Sequence, residues 1–275
     1  MKIVTDTASL FSPEEGRELG FHVVPACAII DGQVYRDFED IDSETFLQKI
    51  QEGAVPTSSQ PSVGDFMDVF EGDEEVLFIS IGDGLSGGYQ NAMGVKNMLE
   101  QNDHIHVVDT KTLAGPEHYM VEKALRLMKE GLSMEKIKKA LQQCIENSVS
   151  FVIPADFDFL KRSGRLIPLA AKIGSMIKIV PVMTQTEDMR RIRPFVITRS
   201  RKKAVEAIIQ QLRTLGINKD YVISIGYAGV LEQACEVLAQ IKAQFEETEI
   251  EIFSLSPALI THGGPGSITI QAVRK

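Results

Sequence analysis

A chain of 275 residues, 44% hydrophobic with 13 Phe and no Trp, has material for one large or two modest folded units and no compositional sign of disorder. Its formal net charge of -9 excludes the concentrated basic surface that nucleic acid demands. No apolar run reaches membrane-spanning length, so at most a transient membrane contact is expected.

The chain enters a strand at once, Ile3-Val4-Thr5, with no stretch that reads as a signal peptide. Cys27, Cys144 and Cys235 are far apart and form no CxxC pair, as expected of free thiols in a reducing compartment. A cytoplasmic protein is the expectation. Ser12-Pro13-Glu14-Glu15 is a helix start, with a serine cap, proline at the first position and acids in the first turn. Pro56-Thr57-Ser58-Ser59-Gln60-Pro61-Ser62 reads as a stiff loop rich in hydroxyls, with Ser62 opening a helix that carries Phe66 and Val69. Val76 to Ile81 is an apolar, branched run that predicts a buried strand. After it come Gly82-Asp83-Gly84-Leu85-Ser86-Gly87-Gly88 and a helix opening at Tyr89-Gln90-Asn91-Ala92. Glycines permit a ligand to approach, and the helix start offers unpaired N–H groups to an anion.

Ile105 to Asp109 predicts another strand. Two amphipathic helices follow, one with Met120, Ala124, Leu127 and Met128 on a face, the next with Ile137, Leu141 and Cys144. Such alternation implies helices on a mainly parallel sheet. Beyond about residue 150 a second strand set is expected, at 150–154, 177–182, 194–197, 221–225, 250–253 and 267–270, with helices near 201–214 and 231–245. The fold class is thus α/β: an N-terminal domain over 1–149 with a mainly parallel sheet, and a mixed α/β domain over 150–275. Leu166 to Met183 is almost uncharged; Leu169, Ala170, Ile173, Met176 and Ile177 suit an apolar helix that either packs a core or lines a ligand pocket. Leu160-Lys161-Arg162-Ser163-Gly164-Arg165 clusters three cations. Thr261-His262-Gly263-Gly264-Pro265-Gly266 reads as a glycine-rich turn between two strands. Neither His104 and His106 nor any other set has metal-ligand spacing, and no lysine of the phosphate-loop type follows a glycine loop.

Two classes of function remain open on these residues. Gly84-Leu85-Ser86-Gly87-Gly88 satisfies G-x-S-x-G, with Asp109 and His262 following in the order of an acyl hydrolase triad. Against it, four residues separate Ser86 from the apolar run, whereas a nucleophile elbow puts its serine directly off the strand. The alternative is a cradle for an anion.

The set Ser58-Ser59-Gln60-Pro61-Ser62, Leu85-Ser86-Gly87-Gly88-Tyr89-Gln90-Asn91-Ala92, Leu160 to Arg165 and His262-Gly263-Gly264-Pro265-Gly266 resembles the DegV family. The opening Lys2 to Ala8 and Val108-Asp109-Thr110 resemble it too. The resemblance implies a bacterial fatty-acid-binding protein of two α/β domains with the ligand between them and no catalytic residues or metal of its own. Several members present the bound acid to a separate fatty acid kinase subunit, which phosphorylates the carboxylate. By resemblance, Ser58, Ser86 and His262 hydrogen-bond the carboxylate, with Gly87 and Gly263 beside them, and Arg165 with Arg162 engages the kinase. Ser58 and Gly263 stand where the family has Thr, and Ser163 where it has Gly. A lipid-sensing regulator would satisfy the same motifs.

Overall fold

The structure, a computed structural model, describes residues 1–168, 170 and 179–275. β1 (Lys2–Asp6) ends in a 3-10 turn at Thr7–Ser9, and α1 (Pro13–Leu19) follows the Ser12 cap, where Ser12 and Glu15 bond reciprocally. Next come β2 (His22–Val24), the hairpin of β3 (Cys27–Ile30) and β4 (Gln33–Arg36), and α2 (Ser43–Gln51). β5 (Thr57–Ser59), α3 (Val63–Phe70), β6 (Val76–Ser80), α4 (Gly88–Met98) and β7 (Ile105–Asp109) complete the first part. α5 (Gly115–Lys129) and α6 (Met134–Glu146) lead to β8 (Ser148–Ile153) and α7 (Phe157–Arg162). The chain then runs through β9 (Val180–Gln185), β10 (Ile192–Thr198), α8 (Arg201–Thr214), β11 (Tyr221–Tyr227) and α9 (Leu231–Lys242). It closes with β12 (Glu249–Ser254), α10 (Pro257–Gly263) and β13 (Ile268–Arg274).

Among the described residues the strands form three sheets. The first is parallel, in the order β2-β1-β6-β7. β6 is buried along its whole length, which is why it reads as an unbroken apolar run. Its period-2 alternation serves two cores. Leu77 and Ile79, with Ile3, pack under α5 and α6 through Met120, Ile137 and Leu141. Phe78 and Val4 face α3 and α4, where the Phe66 and Phe78 rings meet edge-on at 5.1 Å.

The second sheet is mixed, in the order β10-β9-β8-β13-β11-β12, parallel at β11–β12 and antiparallel elsewhere. Ile268, Ile270 and Ala272 of β13 turn to the core beneath α8 and α9. The opposite side meets the first half of the chain: Val222 and Val273 join the core of α5 and α6, and Gly115 lets α5 approach Ser224 of β11 so closely that a Cβ would overlap its hydroxyl. The third sheet, β4-β3-β5, is antiparallel and lies beside α10; Ala28 and Phe46 share a core with Leu255 and Ile260.

Three sequence expectations need correction. The segment between Pro56 and Ser62 is partly a strand, because Thr57–Ser59 pairs with Cys27–Ile29, a long-range partner that outweighs its loop-like composition. Thr261 to Gly263 is the last turn of a helix, capped at Ser256 and opened by Pro257; only Gly264 and Gly266, at φ 81° and 75°, use the left-handed freedom of glycine. The strand expected from Ile177 begins at Val180. Of the expected apolar helix, Ala170 is buried, while Leu169, Ile173, Met176 and Ile177 lie outside the described residues.

Candidate functional site: an apolar cavity lined by a buried imidazole

From β1 the chain leaves towards β2 on one side of the sheet, and β6 joins β1 on the other. This makes the carboxyl ends of β1 and β6 a topological switch point, where ligands of such sheets bind. Asp6 ties the two ends together: one oxygen accepts from Ala8 N at 2.9 Å, the other from Ile81 N at 3.0 Å. Its carboxyl titrates at about 6, pushed up by burial against the pull of these two N–H groups.

The loop after β6 is clamped from every side. Leu85 and Ser86 donate their N–H groups back to Gly82 O, and Asp83 N donates to Asp109 at 3.0 Å. Asp83 also accepts from Gln90 and pairs with Arg190 at 2.6 Å. Gly84, at φ 95°, admits the Arg190 backbone where a Cβ would stand 2.7 Å from its carbonyl oxygen. Ser86 thereby comes to rest beside the start of α4, whose Gly87 cap provides no side chain; Ser86 Oγ accepts from Gly88 N at 3.3 Å. Gln60 lies against Gly87, and Asn91 donates to Pro61 O at 2.8 Å, so the hydroxyl-rich segment and the Ser86 loop are packed together.

Ser58 on β5 reaches His262 on α10, with Oγ 2.7 Å from Nε2 across 204 positions of sequence. Burial, helped by the Arg165 charge, pushes His262 down to about 3, so the imidazole is neutral. Arg165 sends its Nε to Leu85 O at 3.0 Å and bonds Ser163 O, which turns it towards the Ser86 loop. Its neighbour Arg162 is exposed, stacked 4.5 Å over the Phe159 ring.

His262, Gly263 and Arg165 line a cavity of about 110 Å³. Its apolar wall includes Ile81, Leu85, Leu113, Met183, Ile192 and Leu259, gathered from both halves of the chain. Ser58 touches the lining residue His262 without lining the cavity itself, and Ser86 and Gly87 directly follow the lining residue Leu85. The structure therefore brings Ser58 and His262 into contact, with Gly263 next to His262 and the Arg165 charge acting on the imidazole; Ser86 and Gly87 sit at the start of α4 against Gln60, two residues beyond Ser58, and Arg162 stands apart.

The arrangement does not assemble the hydrolase triad. Asp109 spends Oδ1 on Asp83 N and Lys111 N, and His262 directs Nε2 to Ser58. An imidazole held near 3 is a poor general base at neutral pH.

Two lining residues escaped the sequence reading. Ser267 is fully buried beside Gly263, and its Oγ has no hydrogen-bond partner; Gln271, four residues on, has an unpartnered Oε1. The alternation of Ser267, Thr269 and Gln271 with Ile268, Ile270 and Ala272 was the available signal: polar residues recur on one side although β13 is buried from Ile268 to Val273.

The sequence model described as "Uncharacterised protein, DegV family" matches residues 1–275. The chain belongs to the DegV family. It is 31% identical over 276 residues to a DegV domain-containing protein of Halalkalibacterium halodurans, covering 97% of this chain and 95% of that protein. A DegV domain-containing protein of Staphylococcus aureus is 28% identical over 278 residues, 99% of this chain and 98% of its own length. Among solved structures, a DegV family protein from Thermus thermophilus, described for its fatty acid binding, superposes with a TM-score of 0.90 at 29% identity, covering 100% and 99% of the two chains. DegV of Bacillus subtilis, described as a fatty acid binding protein, gives 0.86 at 25% identity over 100% and 99%. The parallel sheet flanked by helices and the second, mixed sheet are the fold of these proteins.

Proposed function

We propose that this protein binds a long-chain fatty acid between an N-terminal domain (1–149) and a C-terminal domain (150–275), and presents its carboxylate to a separate fatty acid kinase catalytic subunit. It is a carrier with no catalytic residue of its own. The observation that carries this reading is an apolar cavity lined by His262, whose Nε2 meets Ser58 Oγ at 2.7 Å. A buried carboxylate without donors is prohibitively costly, whereas hydroxyls, a neutral imidazole and the N–H groups of α4 satisfy it without placing a second full charge against it. The fatty-acid-binding relatives from Thermus thermophilus and Bacillus subtilis support the same ligand class.

Ser58, Ser86 and His262 orient the head group, with Gly87 and Gly263 giving it backbone access, and the apolar wall supplies affinity. Each buried methylene contributes about 0.8 kcal/mol, so a long chain outweighs three hydrogen bonds of about 1 kcal/mol each. Arg165 and Arg162 lie on the side offered to the kinase. No helix among the described residues is long and apolar enough to cross a membrane. Ser86→Ala tests the division of labour: fatty acid affinity falls moderately, while acyl phosphate formation with kinase and ATP falls sharply. Undiminished acyl phosphate in that variant would contradict the role given to Ser86.

A further inference from the structure

One side of the cavity is the second sheet, whose rows lead away from the head-group end. Ser267 marks that end, since a Cβ on Gly263, next to His262, would stand 3.0 Å from its Oγ. Gln271 lies four residues further on the same side of the strand, about 13 Å away at the usual rise. Across the sheet Gln271 pairs with Ser150 of β8, and Val152 pairs with Met183 of β9, which puts Gln185 level with Ser150. Gln271, Ser150 and Gln185 therefore form one row, and all three line the cavity. Their side chains reach from the sheet to three consecutive residues of the loop after β7. Gln271 Nε2 donates to Leu113 O at 2.9 Å, Ser150 Oγ is 3.3 Å from Thr112 Oγ1, and Gln185 Nε2 donates to Lys111 O at 2.7 Å. Gln271 Nε2 also donates to Ser150 Oγ at 2.8 Å, which joins the row sideways. The loop itself is fixed: Gly82 N donates to Thr112 O at 2.8 Å, and a Cβ on Gly82 would stand 2.8 Å from the Lys111 carbonyl carbon. Sheet and loop come from the two halves of the chain, and this row of hydrogen bonds spans the gap between them.

We propose that this row is the stop that limits the length of the acyl chain, and that Gln185 is the member whose size sets the limit. The inference rests on the fatty-acid reading above and deepens it by naming the residues that choose among acids. A methyl end that reaches the row can go no further without parting hydrogen bonds that hydrocarbon cannot replace. Within the row the three members differ in what their loss would do. Gln271 is 1% exposed, and Leu113 O depends on it for a donor, so its removal would leave a buried carbonyl unpaired. Gln185 is only half-buried, and its bond to Lys111 O lies where water can take its place. Its side chain lines the cavity on one side and meets solvent on the other. Shortening Gln185 therefore opens the end of the cavity outwards, so that a longer chain extends past the stop.

The test measures a series of saturated straight-chain acids, from lauric to behenic, by displacement of a fluorescent fatty acid from the purified full-length protein. In the wild type, affinity is expected to rise about fourfold per added methylene up to one length and to fall beyond it. In Gln185→Ala that break is expected at a longer acid. The first acid past the wild-type limit should bind the variant at least about fourfold more tightly than the wild type, while shorter acids bind both alike. Loss of solubility in the longest acids is common to both proteins, so the displacement of the break is the decisive reading. Should the alanine variant fail to fold, Gln185→Asn shortens the same side chain by one methylene and is read in the same way. Affinity that climbs through the whole series without a break overturns the stop while leaving fatty acid binding intact. A break at the same acid in the folded variant overturns the role of Gln185. Failure of all the acids to bind removes the fatty-acid reading and this inference together.

Discussion

His262 makes the folded, ligand-free protein sensitive to acid in a way that can be isolated. In the unfolded chain its imidazole titrates near 6.5, and in the folded protein at about 3, because burial and then the Arg165 charge disfavour the cation. Between those values the unfolded chain binds a proton that the folded one refuses, so the contribution of His262 to stability is complete above 6.5 and is lost as the pH falls. At about pH 5 the loss is 1.5 pH units at 1.36 kcal/mol each, roughly 2 kcal/mol. Other groups titrate in the same window, so the informative quantity is a difference. His262→Gln keeps a polar group beside Ser58 and removes the titration. Urea denaturation of both proteins at about pH 8 and pH 5 should show the variant gaining roughly 2 kcal/mol on the wild type over that interval. Parallel behaviour at the two pH values would refute the argument, since it would mean that His262 takes up its proton as readily folded as unfolded.

Asp37 should oppose that trend: burial raises it to about 7, so its contribution is present at low pH and lost as pH rises through neutrality, and Asp37→Asn should gain on the wild type between about pH 4 and 7 in the same denaturation assay. Gly264→Ala combines a φ of 81° with a Cβ 2.8 Å from the Phe159 ring, and should cost roughly 1–3 kcal/mol in chemical denaturation. Gly115→Ala drives a methyl into Ser224 and should cost a similar 1–3 kcal/mol; adding Ser224→Gly should recover part of it, a coupling that a double-mutant cycle measures directly.

The parts of this molecule legible in the sequence are those whose structure is local. β6 declares itself because both faces are buried, and α1 because Ser12, Pro13 and Glu15 are each the residue that a helix start prefers. The Ser86 loop stands out because its glycines serve close backbone approaches. β5 was hidden because Thr57-Ser58-Ser59 has no apolar alternation and owes its extended form to β3. α10 was hidden by its glycines, though Ser256-Pro257 held the signal for a helix start. The meeting of Ser58 with His262 follows only from the stacking of the third sheet on α10, and neither residue carries a mark of the other. Local pattern exposes the pieces of a site, and topology decides which of them touch.

On the reading proposed above, this protein holds a fatty acid in the cavity that His262 lines. Denaturing the purified protein and extracting it for mass spectrometry tests this most directly. A long-chain acid in near-stoichiometric amount is the predicted result. An empty protein, with Ser86 labelled by a fluorophosphonate, would contradict it and return the serine to the role of a nucleophile.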